Sequence, residues 1–149
     1  MNIVILGAGQ AAASLAARLR ALGHGGPITV IGDEAAPPYQ RPPLSKAYMA
    51  DGDGDRLLLK PAAFYDRAAI TLRAGLQVTA IDRGAREVIC ADGSRQPYDH
   101  LVIATGARTL RPPIPGLDAP GVHELRTLAD AQAIRAALVE TRHAIVIGG

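Results

Sequence analysis

Residues Gly7-Ala8-Gly9-Gln10-Ala11-Ala12 have the G-x-G-x-x-A spacing of a loop that can hold a pyrophosphate. Gly7 permits the tight turn. Gly9 lets backbone approach phosphate oxygens with no side chain in the way, and Ala12 lets a helix pack closely on a strand. The helix N-terminus that follows offers free N–H groups and the positive end of a dipole. The competing reading is a glycine turn of any α/β protein. A strand pattern before the loop and a helix pattern after it favour the phosphate loop. About twenty residues further on stands Asp33, with Glu34 beside it, near the spacing of a carboxylate that accepts both ribose hydroxyl hydrogens and repels a 2′-phosphate. Asp33 lies closer to the end of the preceding strand and is preferred over Glu34. A solvated loop acid is the alternative.

Two further stretches carry chemistry. In Pro38-Tyr39-Gln40-Arg41-Pro42-Pro43-Leu44-Ser45-Lys46 the prolines stiffen an extended backbone and present Arg41 and Lys46 from it. Two rigidly held cations beside a dinucleotide can contact its phosphates or a ring that develops negative charge. The same residues also read as a proline-rich surface loop for an SH3-like partner, and elementary physics leaves both open. In Leu101-Val102-Ile103-Ala104-Thr105-Gly106-Ala107 a buried strand ends in small residues, which lets the chain pass close to a ligand. An ordinary core strand ending in a turn is the alternative.

The elements that must position these residues follow from local pattern. Ile3–Leu6 and Ile28–Ile31 are short apolar runs, read as parallel strands. The alanine-rich segment Gln10–Leu22 joins them as a helix with Arg18 and Arg20 toward water. Strand, helix and strand within about thirty residues make a βαβ unit. Asp33–Pro43 is a loop, Leu44–Ala50 a short helix, and Pro61 starts a helix over Ala62–Ala69. Ile70–Arg73, Gln77–Ile81, Glu87–Cys90 and His100–Ala104 read as strands. With turns at Arg83-Gly84 and Asp92-Gly93 they suggest a small antiparallel meander followed by an apolar strand. Leu110–Pro120 carries four prolines and marks a hinge. Thr127 caps a helix, with Asp130 as its capping-box partner, that runs to about Glu140. Ala144–Ile147 reads as a last strand, and Gly148-Gly149 echoes the glycines that follow the first strand. A strand that stops at a second phosphate-loop signature leads us to expect that the chain is a fragment.

Composition narrows the function classes. In 149 residues, 48% are hydrophobic and 20% charged, which suits a globular chain. The net charge of +2 comes from scattered arginines and aromatics are 3%, so neither a nucleic-acid surface nor a base-stacking platform is expected. No apolar run is long enough to span a membrane. Met1 leads directly into a strand pattern with no basic leader, so a cytoplasmic location is expected. The single cysteine, Cys90, excludes a disulfide framework and any CxxC site, and reads as a packed small hydrophobe. His24, His100, His123 and His143 lack metal-ligand spacing. The Asp51–Asp55 run lacks the glycine and glutamate positions of a calcium loop, so no metal site is expected.

Taken together, these motifs resemble the FAD-dependent pyridine-nucleotide reductases, and more narrowly the NADH-dependent ferredoxin reductases of bacterial cytochrome P450 and ring-hydroxylating dioxygenase systems. The stretch PYQRPPLSKAYM is the most specific part of the match and is shared with apoptosis-inducing factor. The LVIATGA strand and the ELRTLADAQAIRAAL…IVIGG segment follow in the family's order, so the resemblance covers the whole chain. It implies an α/β fold: an incomplete three-layer FAD/NAD(P)-binding Rossmann-like domain with a small antiparallel meander over residues 1–110. Residues 111–149 would form a hinge and the first elements of a second Rossmann-like, NAD-binding domain.

The resemblance also implies roles. Gly7, Gly9, Gln10, Ala11 and Ala12 line the FAD pyrophosphate. Asp33, with Glu34 as its neighbour, holds the adenosine ribose, and Val78 flanks the adenine through its backbone. Arg41 contacts the cofactor, Lys46 is the catalytic residue near the reactive edge of the flavin, Ala104, Thr105 and Gly106 pass close to it, and Arg126 reaches it from the hinge. Disulfide reductases of this superfamily carry a CxxxxC pair where this chain has Arg41 to Lys46. Without those cysteines, electrons are expected to leave the flavin directly. The expected function of the parent protein is to pass electrons from NADH through FAD to a [2Fe–2S] ferredoxin, the 149-residue chain itself being inactive. The alternatives are a flavin-binding sensor like apoptosis-inducing factor, an NADH oxidase or a nitrite reductase subunit.

Overall fold

Ile3-Val4-Ile5-Leu6 and Ile28-Thr29-Val30-Ile31 are apolar or β-branched at every position, the pattern of strands covered on both faces. In the computed structural model, which describes residues 1–147, they form β1 (Ile3–Leu6) and β2 (Ile28–Ile31), and every residue of both is buried. They pair in parallel, from Ile3 opposite Ile28 to Leu6 opposite Ile31. The crossover is α1 (Gln10–Ala21). Two more parallel strands, β3 (Ile70–Arg73) beside β2 and β7 (His100–Ile103) beside β1, complete a sheet of order β3-β2-β1-β7. Between them in the chain lies an antiparallel sheet of β4 (Val78–Asp82), β5 (Glu87–Cys90) and β6 (Arg95–Pro97).

Alternation along the strands divides the core into two. Ile3, Ile5, Ile28, Val30 and Ile70 face α1 and pack with Ala12, Ala16 and Tyr65, the last on α3 (Ala62–Arg67). Val4, Leu6 and Ile31 face the other way and pack against Val88 and Cys90 of β5. The layers are therefore helix, parallel sheet and antiparallel sheet, the expected incomplete Rossmann-like α/β arrangement. Ala12 and Ala16 of α1 are fully buried, as close packing of the helix on the sheet requires of the residues between them.

These elements make up one unit, Met1–Gln40 with Leu58–Ala107. A second unit groups Arg41–Leu57 with the chain from Arg108 onward. It holds a 3₁₀ turn at Pro42–Ser45, α2 (Ala47–Asp51) and α4 (Leu128–Leu138), with α4 against both the turn and α2. Thr127 caps α4 as the sequence indicates. The Asp130 amide donates to Thr127 Oγ1 (3.1 Å) and the Thr127 amide to Asp130 Oδ2 (2.7 Å). No helix of the described residues is long and apolar enough to cross a membrane.

Several local expectations are corrected. Ile70–Arg73 belongs to the parallel sheet rather than to the meander, whose third strand is Arg95–Pro97, a stretch with little strand character and a proline on the edge. The helix expected over Leu44–Ala50 is split at Lys46, whose backbone (φ −128°, ψ −107°) is not helical. β7 is not a fully buried strand: it lies at the sheet edge among the described strands, and Ile103 is 66% exposed. Ala144–Ile147 forms no strand and pairs with none among the described residues. A strand needs a neighbour to bond with, and an apolar run alone supplies none. Gly148 and Gly149 lie outside the described residues.

Arg20 is also not turned to water. Its guanidinium donates to four backbone carbonyl oxygens: His24 (2.6 Å), Gly26 (2.7 Å), Ala68 (2.8 Å) and Ala69 (2.7 Å). It ties the loop between α1 and β2 to the loop between α3 and β3. Hydrogen bonds from a charged donor contribute more than neutral ones, and partial exposure of the group offsets part of this. Arg20→Gln is therefore expected to lower the unfolding free energy by about 2 kcal/mol, read as a lower urea midpoint, while the exposed Arg18→Gln leaves it unchanged.

Candidate functional site

The glycine loop is positioned by the parallel ladder. At the end of β1, the Gly7 amide donates to the Ile31 oxygen of β2 (2.7 Å), and the Ala104 amide beyond β7 donates to the Leu6 oxygen (2.7 Å). The chain thus leaves the sheet with neighbours on both sides. Gly7 has φ +99°, and a Cβ there would lie 2.2 Å from the Ala104 carbonyl oxygen. Only glycine satisfies both the turn and the close approach. Thr105 and Gly106 follow Ala104 and are exposed.

At Gly9 the reverse holds: a Cβ would meet nothing within 4 Å. Gly9 is the N-cap of α1, no side chain caps that end, and its first turn holds no acidic residue. The amides of Gln10, Ala11 and Ala12 have no carbonyl within the helix to bond. An open cradle, a tight turn and an uncapped, positively polarised helix end together fit the pyrophosphate of a dinucleotide.

Asp33 and Glu34 follow β2 on the chain segment next to this loop. Asp33 is exposed. Glu34 is half-buried, and its carboxylate accepts a hydrogen bond from the Tyr39 hydroxyl (2.5 Å). The segment is held from behind: the Gly75 amide donates to the Glu34 oxygen (2.9 Å) and the Leu76 amide to the Gly32 oxygen (2.8 Å). That contact leads directly into β4 and Val78, whose side chain packs on the Val4–Leu6–Ile31 cluster. Two contributors are absent from the sequence reading. A Cβ at Gly32 would lie 2.4 Å from Ala8 Cβ, so Gly32 lets the glycine loop sit against the end of β2. The signal was a glycine directly after a β-branched run. Tyr39 orients Glu34, and nothing in local spacing announces that.

In the second unit Arg41 and Arg126 come together. Arg41 Nη1 donates to the Arg126 carbonyl oxygen (2.6 Å), while the Arg126 amide donates to Asp130 Oδ2 (3.0 Å). Arg41, Pro42, Leu44, Ser45, Leu125 and Arg126 line an open cleft of about 280 Å³. Lys46 lies one residue past the 3₁₀ turn, exposed, with its amide bonded to the Pro43 oxygen (2.9 Å). Burial acts to raise the Asp130 carboxyl. The hydrogen bonds from Thr127 and Arg126 and the nearby Arg41 charge outweigh it and hold the group below its ordinary value. Among the described residues no cluster could hold a metal ion.

Two outcomes are expected. Gly7→Ala places a methyl group on the Ala104 carbonyl at a positive φ and should cost at least about 3 kcal/mol, read as a large fall in Tm. The lowered pKa of Asp130 means that its contribution is fully present above the unfolded carboxylate value, about 3.9, and is lost as pH falls through the lower folded value. Asp130→Asn should therefore lower stability by about 1 kcal/mol at pH 7. In urea unfolding across pH, the gap from wild type should close in acid.

Known proteins share this arrangement. The family description pyridine nucleotide-disulphide oxidoreductase (Pyr_redox_2) matches residues 1–149. The chain is 47% identical to rhodocoxin reductase of Rhodococcus erythropolis, over 99% of its own length and 35% of that protein's. It is also 47% identical to the anthranilate 1,2-dioxygenase system ferredoxin–NAD(+) reductase component of Burkholderia cepacia, over 98% of its length and 36% of that protein's. Among solved structures, it superposes on the ferredoxin reductase for the CYP199A2 system from Rhodopseudomonas palustris with a TM-score of 0.88 at 39% identity, covering 93% of this chain and 34% of that one. On the covalent putidaredoxin reductase–putidaredoxin complex the TM-score is 0.83 at 41% identity, covering 92% and 34%. The chain spans about a third of the length of these relatives. With a family match along its whole length, and the glycine cradle and acidic strand end in place, the chain belongs to the pyridine nucleotide-disulphide oxidoreductase family.

Proposed function

We propose that this chain forms the main part of the FAD-binding region of an NADH-dependent reductase that delivers electrons to a ferredoxin of the [2Fe–2S] type. The observation that carries this reading is the loop between β1 and α1: closed on one side by the Ala104 carbonyl at Gly7, open on the other at Gly9, and ending in an uncapped helix. Relatives named as reductases of rhodocoxin, of a ferredoxin and of putidaredoxin, the last solved joined to putidaredoxin, support a protein acceptor. Those named for NAD(+) support NADH as the donor.

Bound flavin supplies the redox chemistry, because it accepts two electrons at once and releases them singly. The chain's own residues bind, orient and polarise. The amides of Gln10–Ala12 donate to pyrophosphate oxygens, with Gly9 leaving room for them. Asp33 and Glu34 accept ribose hydroxyl hydrogens, and Tyr39 keeps the Glu34 carboxylate turned one way. Thr105 and Gly106, exposed after β7, leave the backbone accessible to the cofactor. Val78 offers its backbone to the adenine. In the second unit Arg41 and Arg126 would offer fixed positive charge to the cofactor, and the Lys46 ammonium would supply a further positive charge beside its ring. The stretch Arg41 to Lys46 holds no cysteine, and Cys90 is buried, so this region supplies no dithiol to relay electrons.

The test uses the whole protein that contains this chain, desalted after incubation with FAD. Flavin absorbance should stay with the protein, bleach on anaerobic NADH addition and recover as a ferredoxin is reduced. A protein that stays colourless would overturn the assignment. Gly9→Ala should keep the fold but weaken FAD at least about tenfold, since a methyl group enters the phosphate space. Lys46→Ala should slow flavin reduction about tenfold to a hundredfold in stopped flow while FAD remains bound. An unchanged rate removes Lys46 from the reaction.

A further inference from the structure

Lys46 stands at a joint in the backbone. On one side its amide is fixed to the Pro43 oxygen at the end of the 3₁₀ turn. On the other it is the N-cap residue of α2, and its side chain makes no capping bond there. α2 has five residues, too few to be stable by itself in water. Something else must hold it still.

Arg135 of α4 does this. Its Nη1 donates to the carbonyl oxygens of Tyr48 (2.8 Å) and Met49 (2.5 Å). The Tyr48 oxygen also accepts from the Gly52 amide, and a cation at the C-terminal end of a helix is favoured by the dipole. The guanidinium carbon also lies 5.7 Å from the centroid of the Tyr48 ring, which is itself buried. Gly52 ends α2 with φ +72°, and a Cβ there would lie 2.7 Å from Arg135 Nη2, so the guanidinium fills the space a side chain at 52 would need. α4 is fixed in turn by the Thr127–Asp130 capping box, and the same Asp130 holds the Arg126 amide. One helix thus anchors both the backbone of Arg126 and the segment that begins at Lys46.

We infer that Arg135 is a positioning residue for Lys46: it locks α2 so that the ammonium approaches the cofactor from a fixed backbone. This rests on the role given to Lys46 above. Both bonds of Arg135 come from the one Nη1 while the planar group lies over the Tyr48 ring, and a lysine, with a point charge on a flexible stem, can replace only part of this. No electron or proton passes through Arg135. Its effect is on geometry alone, and a small misplacement of a group that acts on the transition state is costly.

The experiment compares Arg135→Gln, Arg135→Lys, Lys46→Ala and the double variant Lys46→Ala/Arg135→Gln in the whole protein. Three quantities are read: hydrogen exchange at the Gly52 amide before FAD is added, FAD affinity, and the single-turnover rate of flavin reduction by NADH. The Gly52 amide donates to the Tyr48 oxygen (2.9 Å) and so reports on α2 directly. Arg135→Gln should speed that exchange, leave FAD bound, and slow reduction about tenfold, with Arg135→Lys between it and wild type. In the Lys46→Ala background Arg135→Gln should slow reduction no further. Unchanged Gly52 exchange, an unchanged reduction rate, or equal slowing with and without Lys46 would each overturn the inference. A wild-type rate for Lys46→Ala alone would instead overturn the role of Lys46, and the positioning role with it. If Arg135→Gln does not fold, Arg135→Lys carries the same comparisons.

Discussion

β1 sits between β2 and β7, and where it ends the backbone of Gly7 comes so close to the Ala104 carbonyl that no side chain fits between them. The rest of the first unit depends on this approach. It brings the ends of three parallel strands together, so that the loop before α1, the acids after β2 and the small residues after β7 leave the sheet at one edge. Parallel strands put their carboxyl ends on one side, and a crossover helix then begins on that side with its amides free. Buried alanines at positions 12 and 16 keep α1 close enough for the geometry to hold. Gly32 performs the same service at the neighbouring strand by admitting Ala8.

The chain has two lysines and many arginines, and the structure shows one physical use for the difference. Arg20, Arg41 and Arg135 all donate to main-chain carbonyl oxygens rather than merely facing solvent. Loop carbonyls and the carbonyls at helix C-termini have few backbone partners of their own. A guanidinium carries five donors in a rigid plane, and that of Arg20 satisfies four carbonyls at once, more than the three donors of an ammonium could. Within each unit, arginine therefore does the work of short secondary structure, pinning segments that have too few backbone hydrogen bonds to hold themselves. Lys46 is left as an exposed ammonium on a backbone held from both sides.

A family named for disulphide chemistry is represented here by a chain without a paired cysteine. The elements whose geometry fits a dinucleotide are backbone amides, glycines and a carboxylate, and none of them needs a thiol. After the first βαβ unit this chain carries prolines and two cations, Arg41 and Lys46, and no cysteine.

The sequence by itself determined β1, α1 and β2, the Asp92-Gly93 hairpin, the Thr127–Asp130 cap and the glycine loop. Each is a local pattern of period, turn chemistry or capping that needs no distant partner to be read. Tertiary structure decided the rest. β3 and β7 joined the parallel sheet because their apolar faces met β2 and β1, which no local pattern reveals. Ala144–Ile147 has the composition of a strand and is not one, since strand pairing is a property of two segments. Arg20 looked like a surface residue until the carbonyls of two separate loops converged on it. Tyr39 on Glu34 and Arg135 on Tyr48 and Met49 are likewise contacts between elements, set by packing. The sequence could name candidate groups for chemistry, and only the folded chain could name the groups that pack against them.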